Sequence, residues 1–553
     1  MLCRDKGGIE KGRLPVQKVV IIMEIKNLLA EGKCALGIEF GSTRIKAILT
    51  DTEGSPVASG DHMWENELKD GIWTYSEDAI WNGLQDTYRD LKKNVSDTYG
   101  VTLKSFSAIG FSAMMHGYIA LDKDDKLLVP FRTWRNTITE EAADKLTEAF
   151  GFNIPQRWSI SHLYQAILNG EEHVKDISFL TTLAGLVHYK LTGSKVLGVG
   201  DASGMFPIDS VSMDYDAGMM DIFGGLISDR NFPWTLKGIL PSVLNAGDNA
   251  GTLTSEGALL LDPDGDLEAG ILLCPPEGDA GTGMVATNSV APMTGNISAG
   301  TSVFAMVVLE KALSSLHKEI DMVTTPSGAP VAMVHCNNCT SEINAWAGIF
   351  EQFGKLMGVD LDKGDIFTKL YTCALDGDKD CGGLIYYNYL SGEPVTGFMN
   401  GVPLFMRSAS DSFTLPNFMR MHLYSALASL KIGMNILTED EKVTIRKMYG
   451  HGGFFKTPKA GQTVCSAAIN APICLLTTAG EGGAWGISVL ALYASRRQEF
   501  DSLEDFLDKE IFAKAEATEL MASPEDVEGF NKFTARYIEG LKTERSATEV
   551  MIK

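Results

Sequence analysis

The chain has 553 residues, 45% of them apolar and 22% charged, and carries a formal net charge of −23 with no basic cluster. That length exceeds what one hydrophobic core serves and points to two or three domains of ordinary globular composition. A chain this acidic, with no basic patch, is poorly suited to nucleic acid or an anionic membrane as its main partner.

Near the start, Val19-Val20-Ile21-Ile22-Met23 is too short for a signal segment or a membrane span. Met23 can equally serve as the start, and residues 1–33 are expected as an N-terminal extension ahead of the first domain. The first strong element is Leu36-Gly37-Ile38-Glu39-Phe40-Gly41-Ser42-Thr43, a buried strand entering a tight glycine turn with two hydroxyls. The alternating run Arg44-Ile45-Lys46-Ala47-Ile48-Leu49 leads away, Asp51 to Gly54 turns again, and Val57 begins a further strand. An aromatic loop with Trp64, Trp73 and Tyr75 follows. Ser76 then caps a helix with Ile80, Leu84, Tyr88 and Leu91 on one face.

A short strand through Ala108 and Ser112 delivers Met115-His116-Gly117 at its end, where open α/β sheets place ligands. The segment Phe131-Arg132-Thr133-Trp134-Arg135-Asn136-Thr137 suits either a hydroxylated ligand or a solvated loop over a buried Trp134. After helical patterns to Leu191, Asp201 stands between glycines in Gly198-Val199-Gly200-Asp201-Ala202-Ser203-Gly204, as a ligand contact or a turn cap.

Ile271-Leu272-Leu273-Cys274 reads as a buried strand, and the small residues after it carry Asp279. Gly281-Thr282-Gly283-Met284-Val285-Ala286 matches a loose dinucleotide fingerprint, but no acidic residue closes a second strand about 20 residues on. Gly295 to Ser302 lacks the lysine of a Walker A loop, having Thr301 in its place. Instead, Gly300-Thr301-Ser302 repeats the first glycine-hydroxyl turn between two apolar strands. Such turns direct N–H groups and hydroxyls toward one spot and suit a phosphate, so two of them suggest two similar domains closing on a polyphosphate.

Cys336-Asn337-Asn338-Cys339 has no second cysteine pair or histidine pair, so the nine cysteines read as thiols of a reducing cytoplasm. Helices follow with Ile343, Trp346, Phe350 and Phe353 on one face, and over residues 417–437. Glycine clusters at 450–453 and 480–484 mark strand-to-helix transitions. The last helix, capped by Ser523-Pro524, packs Phe530, Phe533, Tyr537 and Leu541 on one side.

In order, these motifs resemble the FGGY family of carbohydrate kinases, and within it the pentulose kinases (xylulokinases and atypical bacterial L-ribulokinases). Gly37 to Thr43 is similar to the family's first phosphate motif and Gly300-Thr301-Ser302 to its second. Met115-His116-Gly117, Trp134 to Thr137, Asp201-Ala202-Ser203-Gly204, Gly278-Asp279 and Leu390-Ser391-Gly392-Glu393 match further family motifs.

The resemblance implies an α/β fold of two actin-like (ribonuclease H-like) domains with nucleotide and sugar in the cleft between them. The domains are expected at 34–292 and 293–500, with a helical tail at 501–553. It implies Asp279 as catalytic base, and Glu39 with Asp279 as ligands of Mg2+. Gly41, Ser42, Thr43, Gly300, Thr301 and Ser302 would cradle the phosphates of ATP, and Gly452, Gly453, Gly482 and Gly483 would meet the rest of the nucleotide. Met115, His116, Trp134, Asp201 and Asp279 would hold the sugar.

Two departures stand out. Glu39 replaces the family's aspartate and reaches roughly 1.5 Å further, and His451-Gly452-Gly453-Phe454 replaces a glycine triplet followed by alanine. The implied activity is ATP-dependent phosphorylation of D-xylulose or L-ribulose to the 5-phosphate, by a cytoplasmic protein compatible with a homodimer. A rival is an actin- or chaperone-like ATPase without a sugar substrate; a nicotinamide oxidoreductase is weaker still.

Overall fold

The computed structural model describes residues 16–457, 459–476 and 482–552. Gly480 and Glu481 of the second glycine cluster lie outside the described residues.

Two sheets organise the chain. In the first, β1 (Ala35–Phe40), β2 (Arg44–Thr50) and β3 (Pro56–Met63) form an antiparallel meander. β4 (Ala108–Ala113) and β5 (Glu277–Gly278) extend it parallel to β1, in the order β5-β4-β1-β2-β3. The second sheet repeats this plan with β6 (Thr294–Ala299), β7 (Val303–Val308), β8 (Asp321–Thr324), β9 (Pro330–Cys336), β10 (Lys447–His451), β11 (Ile473–Leu476) and β12 (Ala517–Leu520). Its order is β8-β9-β7-β6-β10-β11-β12, with β10 and β11 parallel to β6. The repeated glycine-hydroxyl turns are the β1–β2 and β6–β7 hairpins, one per sheet. This is the duplicated actin-like α/β architecture expected from the sequence.

Five helices matter for the site: α1 (Glu77–Tyr99), α2 (Asp279–Ala286), α3 (Leu415–Asn435), α4 (Gly482–Ser495) and α5 (Pro524–Met551). Ser76 accepts the Ala79 N–H at 3.2 Å to cap α1, which buries Ile80, Leu84, Tyr88 and Leu91. α3 and α5 build the core of the second lobe, where Tyr424 stacks on Phe530 at 4.0 Å.

α4 follows a strand of the second sheet yet lies on the first, packed against β1, β2, β4 and α2. Glycine makes this close approach possible. A Cβ at Gly37 would lie 2.4 Å from Ala484 O and Ser488 N, and one at Gly486 would lie 2.1 Å from Thr282 O. Gly37→Val therefore forces α4 off the sheet and lowers the denaturant-derived stability by about 3 kcal/mol, a loss that equilibrium unfolding measures.

Three expectations are corrected. Residues 271–274 form only isolated bridges, Ile109 to Leu273 and Thr252 to Leu272, and the ladder resumes at Glu277. Pro275 and Pro276 have no N–H to donate, so a continuous strand is broken there. Phe353 is 59% exposed, because the helix Ser341–Leu356 turns Ile343, Ala347 and Gly354 inward instead. Trp134 is not the buried centre of its loop but is 39% exposed.

Cys336 and Cys339 are buried and unbridged. Among the described residues there is no group of three or more His, Cys, Asp or Glu placed to hold a metal, and no helix long and apolar enough to cross a membrane.

Candidate active site

β1, β4 and β5 run parallel, with Phe40 opposite Ala113 and Gly278 opposite Ala113 in their registers. Three chain exits consequently leave one edge of the first sheet: the turn at Gly41, Ser42 and Thr43, the segment Met115-His116, and Asp279.

The first turn is fixed from behind. Gly41 N–H donates to Arg44 O at 3.0 Å, while Trp64 Nε1 and the Tyr75 hydroxyl donate to the carbonyls of Gly41 (2.7 Å) and Ser42 (2.6 Å). The Trp64 and Tyr75 rings stack at 4.0 Å. The aromatic loop seen in the sequence is thus the backing of this hairpin.

β1 is buried along its length except at Glu39, which is half-buried next to the strand's C-terminal end. Glu39 Oε2 accepts the Ala484 N–H at 3.1 Å in the first turn of α4, where a helix N-terminus favours a carboxylate. Gly483 has no room for a side chain, since its Cβ would lie 2.2 Å from Glu39 Oε1. Burial, reinforced by the Asp279 charge, pushes Glu39 up to about 7. Asp279 is the first residue of α2, and its Oδ1 accepts the Met115 N–H at 3.2 Å. Asp279 itself is open to solvent, but desolvation by the protein packed around it raises its pKa against the pull of that N–H.

Met115, His116 and Asp201 come together around two glycines. A Cβ at Gly278 would lie 2.1 Å from Met115 Cγ and 3.3 Å from Asp201 Oδ1; one at Gly204 would lie 2.7 Å from His116 Nδ1 and 2.9 Å from Met115 Cε. His116 has φ +70°, rare for a residue with a side chain, and is followed by Gly117 at +91°. Its Nδ1 lies 3.1 Å from Gly204 O. A carbonyl only accepts, so Nδ1 carries the proton; burial drives the ring's pKa down to about 3, leaving Nε2 as a bare acceptor.

Asp201 is 1% exposed. Its Oδ2 accepts the Thr182 hydroxyl at 2.6 Å, whereas Oδ1 is buried with no partner. Burial and the nearby Asp279 charge raise it to about 7. Trp134 lies on the loop whose Arg132 pairs with Tyr118, and among the described residues it makes no hydrogen bond to the other three.

In the second lobe, Gly300 N–H donates to Ser302 O at 2.9 Å, and the turn carbonyls are again held from behind. Thr340 donates to Gly300 O from its N–H (3.0 Å) and hydroxyl (2.7 Å), and Cys339 N–H donates to Thr301 O at 2.9 Å. The segment bearing these donors is locked in turn. Glu393 accepts the N–H groups of Asn337 (3.4 Å) and Asn338 (3.3 Å), and Asn338 Oδ1 accepts those of Leu390 (2.9 Å) and Ser391 (3.1 Å). The Leu390-Ser391-Gly392-Glu393 motif therefore braces the second turn at one remove, a linkage the sequence did not reveal.

Gly452, at φ +100°, lies against the same hairpin: its Cβ would be 2.4 Å from Ala299 O. Gly453 and Gly482 face open space, with nothing within 4 Å of an added Cβ. Gly483 stands in the first lobe beside Glu39, yet lies only seven residues after Leu476 of β11, a reach of at most ~25 Å. The C-terminal ends of the second sheet's parallel strands are thus tethered close to the acidic pair.

Sequence reasoning missed Glu277, a wholly buried carboxyl whose oxygens accept the Gly200 N–H (3.3 Å) and the Asp201 N–H (2.9 Å). The one available signal was an acidic residue wedged between Pro276 and Gly278 at a strand exit.

Family models for the N-terminal and C-terminal domains of the FGGY family of carbohydrate kinases match residues 34–262 and 295–495. The chain is 22% identical over 495 residues to the xylulose kinase of Haemophilus influenzae, covering 87% of this chain and 94% of that one. Two solved structures from Lactobacillus acidophilus share the fold at 19% identity and TM-score 0.74. One is a gluconate kinase (92% of this chain, 98% of that one) and the other a ligand-bound xylulose kinase (94% and 99%). With a family model on each lobe, spanning most of its length, the chain belongs to the FGGY family of carbohydrate kinases and is a sugar kinase that uses ATP.

Proposed function

We propose that this kinase phosphorylates the terminal hydroxyl of a neutral pentulose, D-xylulose or L-ribulose, giving the 5-phosphate. The observation that carries this reading is the chemistry of the wall around Gly204 and Gly278. The unpaired Asp201 Oδ1, the Asp279 carboxylate and the Nε2 lone pair of His116 are all acceptors. Such a wall asks for O–H donors, which a polyhydroxylated sugar supplies, and an aldonate carboxylate would meet like charge there. The xylulose kinases among its relatives support the same choice.

Phosphoryl transfer depends mainly on positioning and charge neutralisation. The sugar's terminal oxygen attacks the γ-phosphorus of ATP, the bond from that phosphorus to the bridging oxygen breaks, ADP leaves, and Asp279 takes the hydroxyl proton. Met115, His116 and Asp201 orient the sugar, with Trp134 at the exposed margin. The turns Gly41-Ser42-Thr43 and Gly300-Thr301-Ser302 offer N–H and hydroxyl donors to the phosphates from opposite lobes. Gly453 and Gly482, which face open space, leave backbone free for the rest of the nucleotide, and Gly452 and Gly483, packed against Ala299 and Glu39, would line the same approach.

Glu39 and Asp279 fit Mg2+, an ion held by one or two carboxylates plus substrate phosphates while keeping several waters. A half-buried carboxyl and a more open one, close enough that the second raises the pKa of the first, are the donor set such a cation would relieve. When bound, it would neutralise charge on the β- and γ-phosphates. Residues 34–292 and 293–500 are assigned to the two lobes and 501–553 to the tail; closure of the lobes would exclude water. A cytoplasmic homodimer completes the proposal.

Asn338→Ala tests the second turn. It removes the acceptor of two backbone N–H groups, worth about 1 kcal/mol each, and should raise KM for ATP about tenfold with KM for sugar unchanged.

The substrate itself is tested by coupled ADP release across pentuloses, hexuloses, polyols, gluconate and glycerol. ADP release that requires a pentulose is the expected result. Steady hydrolysis without sugar would favour an actin- or chaperone-like ATPase, and gluconate as the best acceptor would overturn the neutral-sugar reading.

A further inference from the structure

We propose that Glu277 is a positioning residue that fixes Asp201 with its Oδ1 turned, unpaired, toward the acceptor sugar; this rests on the reading of Asp201 as a sugar ligand. Asp201 lies in a four-residue helical turn, Val199–Ala202, too short to hold its own geometry. External contacts hold it. From behind, both Glu277 oxygens accept its backbone N–H groups, from Gly200 at 3.3 Å and Asp201 at 2.9 Å. From the side, the Thr182 hydroxyl takes Asp201 Oδ2 at 2.6 Å. From the second lobe, the Thr324 hydroxyl donates to Val199 O at 3.0 Å and Thr324 N–H donates to Ser203 Oγ at 3.0 Å.

The chain has been cleared around Glu277 to permit this. A Cβ at Gly198 would lie 2.1 Å from its Oε1, and one at Gly200 would lie 2.4 Å from its Oε2. With three sides satisfied, Asp201 Oδ1 is the carboxylate atom left over. It faces Gly278, the residue immediately before Asp279. Glu277 thus sits on the strand that ends in the proposed base, and its carboxylate places a sugar ligand relative to that base. A buried acceptor left unpaired is costly unless a ligand supplies its hydrogen bond.

The consequence is confined to one substrate. Glu277→Gln keeps the shape, but Oε1 and Oε2 each accept a different N–H, so the amide NH2 that replaces one oxygen faces a donor and leaves that N–H without its acceptor. Gly198→Ala keeps the carboxylate and displaces it. Both variants should raise KM for sugar about tenfold, or ~1.4 kcal/mol, with KM for ATP unchanged and kcat within about threefold of wild type. Glu277→Asp, which retains both oxygens on a shorter arm, should fall between Gln and wild type.

The experiment measures the three constants for wild type and each variant on the best acceptor of the panel, with thermal melts to identify any variant that fails to fold. If Glu277→Gln does not fold, Gly198→Ala carries the test. Unchanged sugar KM in the folded variants, or equal rises in the KM for sugar and for ATP, overturns the inference. Wild type with no sugar-dependent ADP release would instead remove the kinase assignment on which it stands.

Discussion

In Asp279→Asn, kcat falls by at least about 100-fold while the protein folds normally and still binds sugar. The substitution isolates one property. Asparagine keeps the size of the side chain, and its Oδ1 can still accept the Met115 N–H that Asp279 accepts at 3.2 Å. What is lost is the ability to take a proton. The lost charge also relieves Glu39 and Asp201, whose pKa values it raises, so the variant should be no less stable than wild type. Steady-state kinetics and thermal melts on the same samples check both halves. Turnover near the wild-type rate would remove Asp279 from the role of base.

Glu39→Gln should lower kcat by about 100-fold, the scale of a lost catalytic carboxylate, and yet stabilise the protein at pH 8 when nucleotide and metal are absent. The sign follows from linkage. Burial and the Asp279 charge hold Glu39 at about 7 in the folded state, against an ordinary value of 4.5. The folded protein therefore binds this proton more tightly than the unfolded chain does. Stability from this group is intact below pH 4.5 and is lost as the pH rises through 7, at a cost on the order of 1–3 kcal/mol.

Glutamine retains an oxygen for the Ala484 N–H, which Glu39 accepts at 3.1 Å, and never bears the charge. Its advantage over wild type in urea midpoint should thus grow between pH 4.5 and 7 and vanish below pH 4.5. A variant that is both active and unchanged in its pH dependence would make Glu39 a bystander. Inactivity together with gained stability is the signature of a residue kept for function at the expense of folding.

The sequence carried the local features of this architecture well. Strand, glycine turn and strand are encoded by adjacent residues, so both hairpins were legible, as were the caps at Ser76 and Ser523. The clustering of Met115, His116, Asp201 and Asp279 was anticipated through family motifs rather than through any periodicity.

What escaped reading depends on distant partners. Trp64 and Tyr75 stood out as aromatic, but nothing in their spacing said that they hold the carbonyls of Gly41 and Ser42. Asn338 joins Leu390 and Ser391 to the second turn across more than 50 residues. The placement of α4 on the first sheet rests on Gly37, Gly110 and Gly486, whose missing side chains leave no trace in a hydrophobic pattern. Glu277 escaped because a buried carboxyl is recognisable only once its N–H donors are in place. Proline explains the broken strand at residues 271–274, where an apolar run alone was misleading.

Hydrogen exchange with and without a non-hydrolysable ATP analogue tests the central claim, that turns from the two lobes serve one nucleotide. The amides around Gly41, Ser42 and Thr43 and those around Gly300, Thr301 and Ser302 should gain protection together, at the same analogue concentration. Protection of one turn with the other unchanged at saturation would contradict it.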